Sequence, residues 1–107
     1  MKVINSHNTD AARAAIWECS DTVHSYVLVA ATAQSVTIPV GATAMAFAST
    51  GNFYANLRGA VAIVPSVNIT NGTSPELNPT VRSTAGLSTI SIISAATPTV
   101  TISFYNE

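Results

Sequence analysis

The chain has 107 residues, only 8% of them charged, and a formal net charge of −1. That length makes one domain with a small core. Its four basic residues do not cluster, which excludes the electrostatic footprint of a nucleic-acid binder and a polybasic membrane contact. A single cysteine excludes an internal disulfide framework.

The charge is unevenly placed. Lys2, Asp10, Arg13, Glu18 and Asp21 fall within residues 1–24, together with His7, His24, Trp17 and Cys19. This stretch reads as an N-terminal arm ahead of a β-domain over 25–107. Thr9 or Asp10 would cap a short helix through Ala11–Glu18, because a side-chain oxygen satisfies early backbone donors and Ala and Arg favour helix. An extended arm lying along a neighbour is the alternative reading. The opening Lys2-Val3-Ile4-Asn5-Ser6-His7 lacks the apolar run of a secretory signal, and a lone Cys19 suits synthesis in a reducing cytoplasm. The longest apolar stretch, Tyr26 to Ala31, is far short of the ~20 residues that span a bilayer.

From Ser25 onward the pattern is β. Tyr26–Ala30 is rich in aromatic and β-branched residues. Ser35–Ile38 alternates and is stopped by Pro39-Val40-Gly41. Thr43–Ser49 follows, with Thr50-Gly51-Asn52 as a turn. Phe53–Arg58 is the next strand, ended by Gly59, and Ala60–Val64 runs on to Pro65. Residues 67–87 read as a long irregular segment. Asn71-Gly72 marks a tight turn there, and Pro75 and Pro79 argue against regular pairing. A loop of that length in a small domain is uncommon without a job. Thr89–Ile93 and Thr99–Phe104 close the chain around Thr97-Pro98-Thr99. In the last strand Val100, Ile102 and Phe104 share one face and Thr99, Thr101 and Ser103 the other. Short strands with turns at this spacing imply an all-β fold: a β-sandwich, a jelly-roll-like domain or a small barrel.

The surface of such a domain has little charge to keep copies apart, where an ordinary soluble domain carries roughly 25% charged residues. That suits a surface covered by copies of the same chain or by a partner. The chemistry-bearing residues support no catalytic motif. His7, Asp10, Glu18, Cys19 and His24 have no recognised metal spacing, so no metal and no cofactor is expected. A serine with His7 or His24 and Asp10 or Asp21 can be drawn as a triad, but no serine sits in a nucleophile elbow, and the chain is not read as an enzyme. Asn68-Ile69-Thr70 and Asn71-Gly72-Thr73 match the glycosylation pattern, as Asn- and Thr-rich chains do by coincidence. In Phe53-Tyr54 the strand alternation turns one ring inward and the other outward, as an interface anchor or a sugar platform. Arg58, Glu76 and Arg82 stand out because charge is so scarce. Either the arginines are simply solvated, or they pair with Glu76 within the fold or across a subunit boundary. The interface candidates are Trp17, Tyr54, Arg58, Glu76 and Arg82.

Four segments carry a resemblance: Ser35-Val36-Thr37-Ile38-Pro39-Val40-Gly41-Ala42, Gly51-Asn52-Phe53-Tyr54-Ala55-Asn56, Gly72 through Arg82 with Glu76-Leu77-Asn78-Pro79 at its centre, and Ser88-Thr89-Ile90-Ser91-Ile92-Ile93. Over residues 35–105 the chain resembles small all-β virion proteins encoded by tailed bacteriophages. The resemblance implies a structural component of the particle, such as a decoration (cement) protein. The resemblance implies binding to the major capsid protein on the virion, and the shortage of charge leads to the expectation of a homodimer or homotrimer. Residues 1–24 fall outside the likeness, and in capsid proteins such arms often do the fastening. A tail, neck or fibre-base component with receptor or glycan binding is the alternative. No catalytic residue carries over.

Overall fold

The computed structural model of the protein describes residues 1–3 and 19–106. Nine strands and no helix occur among them: β1 (Lys2–Val3), β2 (Val23–Val27), β3 (Gln34–Thr37), β4 (Ala44–Ser49), β5 (Tyr54–Asn56), β6 (Glu76–Leu77), β7 (Val81–Ser83), β8 (Thr89–Ile93) and β9 (Thr99–Asn106). The suggested helix over 11–18, with His7, Asp10, Trp17 and Glu18, lies outside the described residues.

The strands form two sheets facing each other. Sheet A has the order β2-β9-β4-β7, with β1 added in parallel to the far end of β9. Sheet B has the order β3-β8-β5-β6. Antiparallel pairing joins β2 to β9, β3 to β8, β4 to β7 and β5 to β6. First pairs with last, second with second-last, and so inward, as in one long hairpin wrapped across two layers. This is jelly-roll topology, within the expected fold class.

Alternation decides what each strand buries. In β9 the cross-strand partners of Val100 and Ile102 are Tyr26 and His24 on β2, and those of Ile102 and Phe104 are Phe47 and Met45 on β4. Cross-strand partners point to one face, so these rows turn toward sheet B. There they meet Val36, Ala55, Ile90 and Ile92, with Leu28, Ile38 and Phe53 completing the cluster. Val36, Met45, Ala55, Ile92, Val100, Ile102 and Phe104 are fully buried. The expected inward face of Val100, Ile102 and Phe104 is thus observed.

Three elements differ from expectation. The strand placed at Tyr26–Ala30 starts earlier, at Val23, and Leu28 leaves the ladder as a core residue. Ala60–Val64 is not a strand. Both edges of β5 are already taken, by β8 and β6, so the chain after Asn56 has no ladder to join. Gly59, with φ +89°, turns the chain in a conformation that a side chain would resist, and residues 60–64 follow as a strap. Two polar residues on the outer face of sheet B hold the strap. Asn56 Oδ1 accepts from the N–H groups of Arg58 (3.0 Å) and Ala60 (3.4 Å), and Ser91 Oγ accepts from Ala62 N–H at 2.9 Å. The third difference is that residues 67–87 do pair in part, through β6 and β7. Pro75 and Pro79 flank β6 rather than sit within it, so neither removes a ladder bond. Asn71-Gly72 is a turn as expected: Gly72 has φ +88°, and Asn71 Oδ1 accepts from Thr73 N–H at 3.2 Å.

Asn78 explains why Glu76-Leu77-Asn78-Pro79 is more than generic β sequence. It takes φ 48°, a left-handed conformation that Asn tolerates. Its N–H donates to Phe53 O (2.9 Å), its Oδ1 accepts from Phe53 N–H (3.0 Å), and its Nδ2 donates to Asn52 Oδ1 (2.9 Å). One side chain thus fastens the end of β6 to the start of β5.

The start of the chain is stitched to the β-domain. Lys2 and Val3 lie beside Tyr105 and Asn106. Met1 packs against the core cluster, and its ammonium lies 3.0 Å from Asp21. Ser20 Oγ donates to Phe104 O at 2.6 Å, and Phe104 N–H donates to Thr22 O at 2.9 Å.

Candidate functional site

The pleat places charge at one margin of the sandwich. Arg82 is the cross-strand partner of Met45 and Glu76 that of Ala55, and both partners are fully buried. Arg82 and Glu76 therefore face inward on β7 and β6, the edge strands of sheets A and B. They meet across the opening between the sheets, with Arg82 Nε donating to Glu76 Oε2 at 2.8 Å. Side-chain exposures of 42% and 45% mark a rim pair rather than a buried one. Of the two readings of the arginines, Arg82 follows the one in which it pairs with Glu76 within the fold. Arg82 Nη1 also donates to Val81 O, at 2.6 Å.

Arg58 arrives from the other direction. It follows β5 at the start of the long β5–β6 connection, and Ser74 stands at that connection's end. Arg58, Glu76 and Arg82 line one concavity of about 260 Å³ with Asn56, Ser74 and Ser83. They are the only charged residues between Thr22 and Asn106, so sequence scarcity and spatial convergence select the same three side chains. Asn56, Ser74 and Ser83 carry no such signal in the sequence. Their placement depends on the connection that brings residues 58 and 74 together.

Tyr54 lies elsewhere. Its partners Ile93 and Leu77 place it on the outer face of sheet B, where it is half-buried. Phe53 is the inward ring and is buried against Phe47, with centroids 6.0 Å apart. Trp17 lies outside the described residues. His24 is half-buried, edge-on to Phe104 at 5.2 Å and to Tyr26 at 6.4 Å. Among the described residues its contacts of note are these two rings. Burial pushes the Tyr26 phenol above its ordinary pKa. The hydrogen bond from the Met1 ammonium holds the Asp21 carboxyl below its ordinary 3.8, against a smaller opposing effect of desolvation. No group of three or more His, Cys, Asp or Glu suited to a metal occurs among the described residues.

The remaining surface is the reverse of the charged margin. The opposite side of the sandwich ends in β2 and β3, neither of which carries a charged residue. The outer face of sheet A presents Val23, Ser25 and Val27 on β2, Thr99, Thr101 and Ser103 on β9, Ala46 and Ala48 on β4, and Val81 and Ser83 on β7. Ser25 and Thr101 join their hydroxyls at 3.1 Å. Val27 is 73% exposed. Beside the strap, a shallow apolar concavity of about 410 Å³ is lined by Ala31, Ala33, Val61, Ile63 and Ile93, among others.

Comparison with known protein families, curated proteins and solved structures gave no match.

Proposed function

We propose that the chain is a structural component of a tailed-phage particle, a decoration protein that assembles with itself and stabilises the shell by binding the major capsid protein. One observation carries the reading. The charged side chains between Thr22 and Asn106 are gathered at the β6–β7 margin, so that strands β2, β3, β4 and β9 carry none. An unpaired strand edge is a template for pairing with another chain, and edges meant to stay solitary usually carry charge or proline to prevent it. A flat face of Val, Thr, Ser and Ala packs closely and satisfies its hydroxyls across an interface. A stable contact buries on the order of 1,200–2,000 Å², and binding that favours the assembled shell stabilises it by mass action.

The jelly-roll topology supports the reading by analogy alone, since viral capsid domains and lectins both use it. The lectin-like alternative, a tail or fibre-base module that binds a receptor or glycan, has weaker support. Loops 50–56 and 67–83 offer no fully exposed ring: Phe53 is buried, Tyr54 is half-buried, and 67–83 contains no aromatic.

The test is purification of particles followed by quantification of this chain. A copy number matching the shell lattice, lost when Val27 and Ser35 are both changed to Lys, supports decoration. A handful of copies places the chain in the neck or tail, and absence from the particle overturns the proposal. Light scattering after size exclusion should show a dimer or trimer of the isolated protein.

A further inference from the structure

The charges at the β6–β7 margin do not cancel. Glu76 is engaged by Arg82, and Arg82 spends a second donor on Val81 O. Arg58 is bound through its backbone N–H, to Asn56 Oδ1, while among the described residues no ion pair or hydrogen bond occupies its guanidinium. The concavity thus holds two guanidinium groups and one carboxylate. One positive charge is left over, in a chain that otherwise spends charge sparingly.

We propose that this concavity is a binding site for a single carboxylate group, received by Arg58 with the remaining donors of Arg82. Three features select that ligand. A monoanion neutralises the excess charge of the site. The planar fork of a guanidinium matches a planar carboxylate through paired N–H donors. Glu76, held in place by Arg82, repels a second negative charge, so a phosphate dianion is the poorer ligand. Asn56 supports the clamp. It is 7% exposed, and its Oδ1 is committed to the backbone of Arg58 and Ala60, which fixes the turn that presents Arg58. The volume of about 260 Å³ suits a carboxylate on a short stem, either an acidic side chain of a partner protein or a small organic acid such as a uronic acid. The site does not depend on the particle reading, because it is measured on the isolated chain; its failure leaves the assembly proposal standing, and the converse holds.

The experiment is an NMR titration of the 15N-labelled full chain with sodium acetate, followed at the arginine Nε–H and the Ala60 amide signals, with sodium chloride at matched ionic strength as control. Saturable shifts with acetate and not with chloride are expected, with binding about tenfold or more weaker in Arg58→Gln, as for loss of a hydrogen bond to a charged group. Glu76→Gln frees Arg82 and is expected to act in the opposite direction, tightening acetate and admitting phosphate. A merely structural role for Glu76 would not produce that gain. Equal shifts with acetate and chloride, or wild-type binding by Arg58→Gln, overturn the proposal. Comparing N-acetylglutamate amide with glucuronate separates the sources: tighter binding of the first assigns the site to a partner's side chain, and of the second to a sugar acid.

Discussion

The two long margins of the sandwich are built from the same kind of short alternating strand and finish with opposite surfaces. At one, β7 and β6 bring Arg82 and Glu76 together across the gap between the sheets. At the other, β2 and β3 end with Val, Ser, Thr, Gln and a half-buried His24. Strand β7 shows how little separates the two outcomes. Val81 and Ser83 continue the uncharged outer face of sheet A, while Arg82 between them turns inward to the rim. A slip of one residue would reverse all three. Among the described strands after Thr22, charge is therefore assigned by strand position and pleat, and it stands at the β6–β7 margin. At the bare margin, among the described residues, β2 pairs with β9 alone and β3 with β8 alone, so each leaves its other edge without a strand.

The largest expected effect lies in the core between the margins. Phe104→Ala should cost about 3–5 kcal/mol in the denaturant midpoint at unchanged slope, as for other buried rings cut to Ala. Next comes the fastening of the charged margin. Asn78→Ala removes the two side-chain bonds, to Phe53 N–H and Asn52 Oδ1, and leaves Ala at a left-handed φ, so about 2 kcal/mol is expected. Asn78→Gly should recover the backbone part of that cost and not the hydrogen bonds. At the bare margin the same measurement should read almost nothing. Val27→Lys and Ser35→Lys are exposed changes, expected within about 0.5 kcal/mol for the monomer, yet they should abolish self-association in light scattering. A destabilised monomer with intact association would break the contrast between the margins.

Most of the fold was legible where burial follows a period of two. In β9 each residue's face can be read from Thr99–Phe104, because the strand is central and its alternation is fixed by the opposite sheet; in β8 burial runs unbroken from Ile90 to Ile93, since Ser91 and Ile93 on the outer face are covered as well. The strap was not legible. Ala60-Val61-Ala62-Ile63-Val64 has the composition of a strand, and only the occupied edges of β5 make it cross the sheet instead. The pairing of Arg82 with Glu76 could be anticipated because so few charges compete for partners. That Arg58 shares their concavity could not, since it depends on how residues 57–75 loop back. Asn78 was marked by its neighbours without its role being readable: nothing in the sequence says that its side chain faces the backbone of Phe53. Met1 and Asp21 meet only because β1 runs parallel to the end of β9, a pairing with no local signature.

The smallest effects concern the two ion pairs among the described residues. Arg82 and Glu76 are each nearly half exposed, so a double-mutant cycle should give a coupling of about 0–1 kcal/mol that shrinks as salt is added. A larger coupling would mean that the pair holds the sheets together rather than shaping a site between them. Asp21 stands just before β2 and pairs with the Met1 ammonium at 3.0 Å. Its carboxyl is held below its ordinary 3.8 chiefly by that hydrogen bond. A carboxyl lowered in the folded state contributes stability that is present above the unfolded value and is lost as pH falls through the folded one. Wild type and Asp21→Asn should therefore differ by a small constant amount near neutral pH, and their unfolding midpoints should converge as pH drops below 3.8. Curves that stay parallel through the acid limb would mean that Asp21 acts through backbone geometry at the start of β2 and not through its charge. In that case its substitution should leave self-association untouched. If the charge is what matters, the unpaired Met1 ammonium of Asp21→Asn should weaken association at neutral pH, a smaller loss than a lysine on β2 or β3 produces.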